Sequence, residues 1–307
     1  MELVRVSNKD YVQLFTNPNH TYNSVHFSEL NRNKCKDIHY LVFRDKKVRL
    51  GIILGEREGV LYSPFSAPFG GFTNNKTEKL EHYDSAAELL KQYGQKSNKK
   101  IILTLPPTIY GSTVAKTYSA FMRQGASMQY VDLNYQYELV QFLNFENYLD
   151  SSTRNKFHNS QKYDFSFVQL DEKNEVDVAR AYSVIKRNRD ARGFPLRMSL
   201  QQVIETVKIV PAKFFVLCYK GIDVAAAQIY QVTDSIAQVI YWGDVPEYSE
   251  FRTMNYFTYK IFDFYYKNGV KILDIGPSSE NGIPNYGLCE FKENIGCSVS
   301  LKYTVLL

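Results

Sequence analysis

Several features that would identify a function directly are scarce in this sequence. The four cysteines show no CxxC spacing, and no histidine joins them in a plausible zinc pattern. Unpaired thiols in a reducing compartment are therefore expected. The five histidines show neither HxxxH spacing nor a nearby pairing with serine and aspartate, so the sequence predicts no metal site and no hydrolase triad.

Long apolar runs and a leader pattern are also missing. No apolar run approaches the roughly 18 residues that a membrane-spanning helix needs. The N-terminal stretch MELVRVSNKDYVQLF carries charge in every turn, unlike a signal peptide. We therefore expect a cytoplasmic protein with no integral membrane segment. The net charge of +5 fits an anionic ligand, such as a phosphate-bearing cofactor, but falls short of a dedicated nucleic-acid binder.

Aromatic residues and length are what the chain has in abundance. It contains 24 tyrosines and 20 phenylalanines, so aromatic rings are expected to supply much of the core. Apolar residues at 44% and charged residues at 22% are ordinary for a globular protein. A chain of 307 residues is too long for most single cores, and two domains of about 150 residues are the natural expectation.

The first half of the chain predicts three strands, a helix and a fourth strand, in that order. IHYLVFRD and VRLGIILGE predict a hairpin, and GVLYSPFSAPFGGF predicts a third strand that opens into a loop. Residues 76–95 predict a helix that ends at Gly94, and KKIILTLPP predicts a buried strand. The buried face of the helix is predicted to be Leu80, Tyr83, Ala87 and Leu90.

The second half repeats this order. AKFFVLCYKG and DVAAAQIYQV predict a hairpin around Gly221, and SIAQVIYWGD predicts the third strand. RTMNYFTYKIFDFYYKNG predicts a helix, and VKILDIGPSS predicts the strand after it. The order β-β-β-helix-β in both halves predicts a duplicated α/β domain with mixed sheets. We place the boundary near residue 148, which gives domains 1–148 and 149–307.

The segment GLCEFKENIGC, residues 287–297, is helical in size and is closed by Gly296. Its buried stripe is predicted to be Leu288, Phe291 and Ile295. Lys292 then lies about 65° from the centre of this stripe, whereas Glu293 points to solvent. Two interpretations follow for Lys292: a surface lysine whose stem packs on the core, or an ammonium that reaches a neighbouring cleft.

Five segments in order resemble the C-terminal acyltransferase domain of the Fem-like (FemABX) family, within the GNAT-like superfamily. They are Tyr241 with Trp242, residues 244–248, Arg252 with Asn255, Asp274 with Gly276, and residues 291–296. The resemblance covers residues 150–300, and it reaches the first half only through the order of the elements. It implies an α/β fold of two tandem GNAT-like domains.

The resemblance also implies a site in the second domain. The acyl donor would lie where the third and fourth strands splay apart, between AQVIYWG and KILDIGP. Lys292 would stabilise negative charge at the mouth of this gap, and Asp274 would orient a base or a turn, or serve only as a structural hydrogen-bond acceptor. The expected donor-binding residues are Tyr241, Trp242, Arg252 and Asn255. The expected substrate-binding residues are Phe291, Gly276 and Ser278.

The donor implied by the resemblance is aminoacyl-tRNA or, less favoured, acyl-CoA, with no tightly bound cofactor. Acyl-CoA users of the superfamily carry a glycine-rich loop at the helix start, whereas GDVPEYSEFRTMN has one glycine and a proline. The acceptor would be an amine of a cell-envelope precursor, such as peptidoglycan, or of a glycan precursor. Two alternatives stay open: an acyl-CoA-dependent N-acetyltransferase, and a catalytically inactive GNAT-like binding module.

Residues 154–197 hold ten basic residues against six acidic ones. The basic residues include Arg154, Lys156, Lys162, Lys186, Arg187, Arg189, Arg192 and Arg197. This segment could meet RNA phosphates or an anionic acceptor. Because the acidic residues are interleaved, a solvated helix face is the other interpretation.

Overall fold

The computed structural model describes residues 1–307, which divide into two compact units. Unit 1 consists of Met1–Leu133, Ser279–Pro284 and Ser300–Leu307, and unit 2 of Asn134–Ser278 and Asn285–Val299. Residues 134–148, which the sequence analysis assigns to the first domain, belong to unit 2. Two C-terminal segments, Ser279–Pro284 and Ser300–Leu307, belong to unit 1. The composition along the chain does not reveal that the chain returns to the first unit.

Unit 1 contains six strands in the order β1-β2-β3-β4-β5-β14. They are β1 (Glu2–Val6), β2 (Asp37–Arg44), β3 (Val48–Arg57), β4 (Val60–Ser63), β5 (Lys100–Thr104) and β14 (Ser298–Leu306), the last of which begins in unit 2. Neighbouring strands are antiparallel except for the parallel pair β4–β5. The short strands β12 (Ser279–Glu280) and β13 (Ile283–Pro284) form a separate hairpin.

Four helices accompany this sheet: α1 (Asn8–Leu14), α2 (Val25–Leu30), α3 (Leu80–Lys96) and α4 (Ser112–Arg123). The predicted face of α3 is wrong at one end, because Leu80 is 43% exposed. Gly94 is not the stop either but lies inside the helix, which ends at Lys96. A Cβ on Gly94 would lie 2.9 Å from the carbonyl oxygen of Lys99, so glycine allows α3 to pack tightly against the start of β5.

Unit 2 contains six strands in the order β6-β11-β10-β9-β8-β7. They are β6 (Ser127–Glu138), whose first residues belong to unit 1, β7 (Phe165–Leu170), β8 (Ala212–Tyr219), β9 (Ile222–Gln231), β10 (Ile236–Asp244) and β11 (Ile272–Pro277). Only β10 and β11 are parallel. The helices are α5 (Ser151–Ser160), α6 (Glu175–Arg192), α7 (Leu200–Val207), α8 (Thr253–Lys267) and α9 (Tyr286–Asn294).

The predicted repeat is confirmed. Both units contain two antiparallel strands, a third strand, a helix and a fourth strand, as β2-β3-β4-α3-β5 and β8-β9-β10-α8-β11. In each unit the third and fourth strands are the parallel pair. The hairpin turn at Gly221 is also confirmed, with positive φ at both Lys220 and Gly221. The sheets are mixed, as expected for a duplicated α/β domain.

The two faces of the unit 2 sheet carry different helices. Residues directly opposite each other in antiparallel strands share a face, which places Phe215 and Trp242 with Ala227. Phe215 contacts two rings of α8, so this is the α8 face. Tyr241 lies on the other face, where the guanidinium of Arg189 in α6 covers its ring; we call this the α6 face.

None of the nine α-helices combines the length and the apolar character that crossing a membrane would require. The longest, α6, has 18 residues and is rich in charge.

Candidate functional site

Strands β10 and β11 pair only at their beginnings. The parallel pairing runs from Ile236–Ile272 to Gln238–Asp274 and then stops, although both strands continue. Each strand has a bulge just beyond this point, between Val239 and Tyr241 in β10 and between Asp274 and Gly276 in β11. The predicted splay is therefore confirmed, and it leaves the facing edges of the two strands unpaired with each other. We call this region the gap.

Asp274 holds the three central strands together at the start of the gap. Its buried carboxylate accepts hydrogen bonds from Asn134 Nδ2 in β6 at 2.8 Å and from Gln238 Nε2 in β10 at 2.7 Å. The N–H of Gly276 donates to the same carboxylate at 2.9 Å and so closes the bulge of β11. The carboxylate of Asp274 thus fixes the positions of the strands around it, and it already accepts three hydrogen bonds. Neither Asn134 nor Gln238 was a candidate from sequence, since each lies within a strand with no motif around it.

Lys292 is buried at the end of β11, with 3% of its surface exposed. Its Nζ donates to the carbonyl oxygens of Gly276 at 2.8 Å and Pro277 at 3.1 Å. It also lies 5.4 Å from the centre of the Tyr135 ring. These contacts rule out the interpretation of Lys292 as a surface lysine. An ammonium has three N–H groups, so two carbonyls leave one for a ligand.

Burial lowers the pKa of Lys292 to about 8, against the opposing influence of Cys297, Asp274 and Cys289. The thiol of Cys297 is itself buried, and burial raises its pKa to about 12. The lysine therefore stays largely protonated at neutral pH but loses its charge in a mildly alkaline range.

The predicted stripe of α9 is wrong at Leu288 but confirmed at Ile295, which is 1% exposed. Leu288 is 38% exposed, and the buried positions within the helix are Cys289 and Lys292. Apolar residues mark the buried side of most helices, whereas here the helix covers two carbonyl groups that need a donor. The predicted stop is confirmed: Gly296 has a φ of 85°, and its N–H and that of Cys297 bond to the last helical carbonyls. Glu293 is exposed as predicted, and it also accepts a hydrogen bond from the Tyr135 hydroxyl at 2.7 Å.

We expect the stability of the native protein relative to a Lys292→Met variant to rise with pH between about 8 and 10.5. Over this range the unfolded chain binds a proton at Lys292 that the folded protein does not, because burial lowers the pKa from 10.5 to about 8. The full difference corresponds to about 3 kcal/mol. Urea unfolding of both proteins at pH 7, 9 and 10.5 measures it, and parallel pH curves would contradict the buried ammonium.

Aromatic side chains line both sides of β10 beyond the splay. The ring of Trp242, the single tryptophan of the chain, contacts Phe291 of α9 edge-on at 6.1 Å between centroids. Tyr241 is 9% exposed and faces the opposite side of the sheet, under Arg189. The structure therefore brings together Trp242 and Phe291, from the predicted donor and substrate sets, and separates both from Tyr241.

Ser278 follows β11 and is 2% exposed. Its hydroxyl is buried without a hydrogen-bond partner, which is uncommon for an interior polar atom. Its carbonyl oxygen is occupied by the N–H of Asn285 at 2.7 Å and the thiol of Cys289. Gly276, two residues earlier, has a φ of 79°, and its carbonyl is bound by Lys292. Two of the three predicted substrate-binding residues, Gly276 and Ser278, therefore lie in the turn that Lys292 binds.

Arg252 and Asn255 lie at the start of α8, as predicted. Arg252 is exposed, occupies the left-handed region at φ 58°, and precedes the first helical turn. No side chain caps this turn, and the N–H of Asn255 bonds to the carbonyl oxygen of Arg252 at 3.0 Å. The hydroxyl of Thr253 instead binds the carboxylate of Asp244 at the end of β10 at 2.7 Å, which fixes the helix to the strand.

Unit 1 has no equivalent gap. Its third strand β4 pairs with β5 along its whole length and ends at Ser63. The chain then folds back, and the N–H of Gly70 bonds to Thr104 O at 2.9 Å while that of Gly71 bonds to the hydroxyl of Ser63. In unit 1 the returning chain thus bonds to both strands of the parallel pair near their ends.

Unit 1 also contains a group of three potential metal ligands that the sequence analysis did not find. Asp37, His39 and Glu56 place one ligand atom each within 4.8 Å of the others. Both carboxylates already pair with cations, Asp37 with Arg5 at 2.7 Å and Glu56 with Lys99 at 2.5 Å. The group is therefore a charge-balanced network at the edge of the β2–β3 hairpin.

The sequence matches no family model and no curated protein. Solved structures do match over nearly the whole chain. FemX is similar with a TM-score of 0.68 and 11% identity, covering 99% of this chain and 97% of its own. L-PGS from Bacillus licheniformis gives 0.61 and 12%, covering 98% and 92%. A tandem GNAT protein from the clavulanic acid biosynthesis pathway gives 0.54 and 10%, covering 100% and 98%.

These similarities confirm the predicted fold. The chain has a Fem-like, GNAT-like fold, with two tandem GNAT-like domains of mixed α/β structure. At 10–12% identity they describe the fold alone.

Proposed function

We propose that unit 2 transfers an acyl or aminoacyl group to an amine, with the reacting carbonyl held in the gap between β10 and β11. The observation that carries this proposal is the parting of two parallel strands beside a buried lysine. Beyond Gln238 the backbone of β10 is unpaired on its β11 side, so its polar groups are free to contact a substrate carbonyl. The ammonium of Lys292, in α9, binds the carbonyl oxygen of Gly276 near the end of the facing strand, β11.

Acyl transfer requires hydrogen-bond donors for the negative charge that develops on the reacting carbonyl, and this site can provide them. Attack by an amine on an ester or thioester carbonyl forms a tetrahedral intermediate with a negatively charged oxygen. The third N–H of the Lys292 ammonium can stabilise that oxygen or the departing one. Because Lys292 is already fixed by Gly276 and Pro277, little reorganisation is needed when charge develops. The hydroxyl of Ser278 provides a further donor from the same turn.

Aminoacyl-tRNA is the donor we favour. The segment between β10 and α8 forms a 3-10 turn from Pro246 to Phe251 and lacks a glycine-rich phosphate loop. The positive end of the α8 dipole can still attract a single phosphate, together with the exposed Arg252 that precedes the helix. The fold similarity to FemX and to the C-terminal domain of a putative lysylphosphatidylglycerol synthetase from Agrobacterium fabrum supports an aminoacyl donor. Acyl-CoA is the second choice.

For the acceptor we propose an amine of a cell-envelope or glycan precursor, modified in the cytoplasm. The fold similarity to FemX supports this class.

A binding module without turnover is the second candidate. It is favoured by one observation: the carboxylate at the start of the splay, that of Asp274, already accepts three hydrogen bonds. With its oxygens engaged in this way, Asp274 is poorly placed to accept the proton of the amine.

The fluorescence of Trp242 tests the donor directly, because it is the only tryptophan of the chain and lies beside the gap. We expect an aminoacylated minihelix with the tRNA acceptor stem to change the emission saturably, and acetyl-CoA or CoA at low micromolar concentration to leave it unchanged. Saturation by acetyl-CoA in that range would contradict the tRNA donor. A flat response to every donor, confirmed by unchanged thermal unfolding, would favour the binding module.

A further inference from the structure

Arg189 differs from the other arginines and lysines of α6. Most of them pair with acids: Arg180 with Asp223, Lys186 with Asp190, Arg187 with Glu247 and Arg192 with Asp244. Arg189 makes no ion pair, and its Nε is buried without a hydrogen-bond partner. A guanidinium offers five N–H donors and accepts nothing. A half-buried guanidinium without an acceptor is costly to the fold alone, so the position favours a ligand.

The surroundings of Arg189 are aromatic. Its guanidinium carbon lies 5.2 Å from the centre of the Tyr241 ring and 5.8 Å from that of Phe194. Ring faces attract the charge, but they satisfy none of its N–H groups in the plane of the guanidinium. The two rings thus hold the group in place without giving its Nε–H a hydrogen-bond acceptor.

The position of Arg189 relates it to the gap. Tyr241 belongs to the part of β10 that lies beyond the last pair with β11, so the guanidinium lies beside the unpaired stretch. It does so on the α6 face. Trp242 and the uncapped first turn of α8, where the proposed donor would bind, belong to the opposite face.

We infer that Arg189 binds an anionic group, a phosphate or a carboxylate, of the acceptor molecule that approaches the gap from the α6 face. This inference rests on the proposed function, which requires an acceptor. The amine of the acceptor must approach the carbonyl of the donor from a side that the donor does not occupy. It narrows the acceptor to molecules that carry an amine and an anion within reach of each other. A planar guanidinium matches either anion through two parallel hydrogen bonds.

Titration with simple anions tests this inference without any turnover. Inorganic phosphate and acetate are added separately at constant ionic strength, and the backbone amide resonances of residues 239–243 are followed by NMR. The native protein is expected to show saturable shifts with at least one anion. Arg189→Gln is expected to weaken this binding about tenfold or more, and Arg189→Lys less, because the ammonium keeps charge but loses the fork. Arg187→Gln, on the exposed side of the same helix, is the matched control and should titrate like the native protein.

Each outcome has a defined meaning. Saturation by phosphate or by acetate supports the inference and identifies which anion the acceptor carries. The absence of saturation with both anions, or native-like titration of Arg189→Gln, overturns it. Should Arg189→Gln fail to fold, as circular dichroism would show, the comparison of Arg189→Lys with the native protein decides. Failure of the proposed function can be distinguished from failure of this inference. In that case no donor would change the fluorescence of Trp242, whereas the anion titration would still saturate.

Discussion

Replacing Lys292 by methionine is expected to lower the rate constant for acyl transfer about 10²–10³-fold, the loss typical of removing one donor to a developing oxyanion. Methionine keeps most of the volume but cannot donate a hydrogen bond. The rate is measured in single turnover with saturating donor, using hydroxylamine as a small amine acceptor and the uncatalysed reaction as baseline. In the native protein the rate should also decline above about pH 8, where the buried ammonium loses its proton.

Stability must be measured beside the rate, because the same change leaves the carbonyls of Gly276 and Pro277 without their donor. Lys302→Met is the matched control. Lys302 is also a buried lysine, 8% exposed and near Asp132, but it belongs to unit 1. We expect it to change the unfolding free energy and to leave transfer unchanged at temperatures where the protein is folded. If both variants lost transfer in proportion to their unfolded fraction, Lys292 would be a structural residue only.

The order of the elements could be predicted because its signals are local. Each hairpin of the repeat shows alternating or continuous apolar runs around a turn, such as the one at Gly221, and each buried strand ends at proline or glycine. Gly94 shows the limit of such signals. Its role depends on how closely α3 approaches Lys99, and a glycine near the end of a helical pattern looks the same whether it stops the helix or packs it.

The candidate site was predicted in part, for a similar reason. Lys292 was found through its segment, but its burial was not, because helical angles rank positions by the apolar residues around them. The carbonyls of Gly276 and Pro277 that draw the lysine inward belong to another element. Arg189 was hidden in the same way: its sequence shows one basic residue among many, and only the pairing of its neighbours distinguishes it.

The splay itself depends on Asp274, and its loss is expected to have the second large effect. Asp274→Ala should destabilise unit 2 by about 3–5 kcal/mol, because it removes the buried acceptor that Asn134, Gln238 and Gly276 share. Asp274→Asn keeps the shape of the side chain, but the new amide N–H group faces at least one of these three N–H donors. A loss of about 1–3 kcal/mol in the free energy of unfolding is therefore expected. Urea unfolding followed by circular dichroism measures both.

Asp190→Asn provides the control for Asp274, since it removes an aspartate from an exposed pair with Lys186 and should change stability by less than about 0.5 kcal/mol. The transfer rate separates positioning from proton transfer. If Asp274 only fixes the bulge, Asp274→Asn should lower the rate without moving its pH dependence, because the titrating group in the native profile is Lys292. A pH profile that loses an acidic limb in Asp274→Asn would instead show that this carboxylate accepts the proton of the amine, and the strand-positioning role would then be wrong.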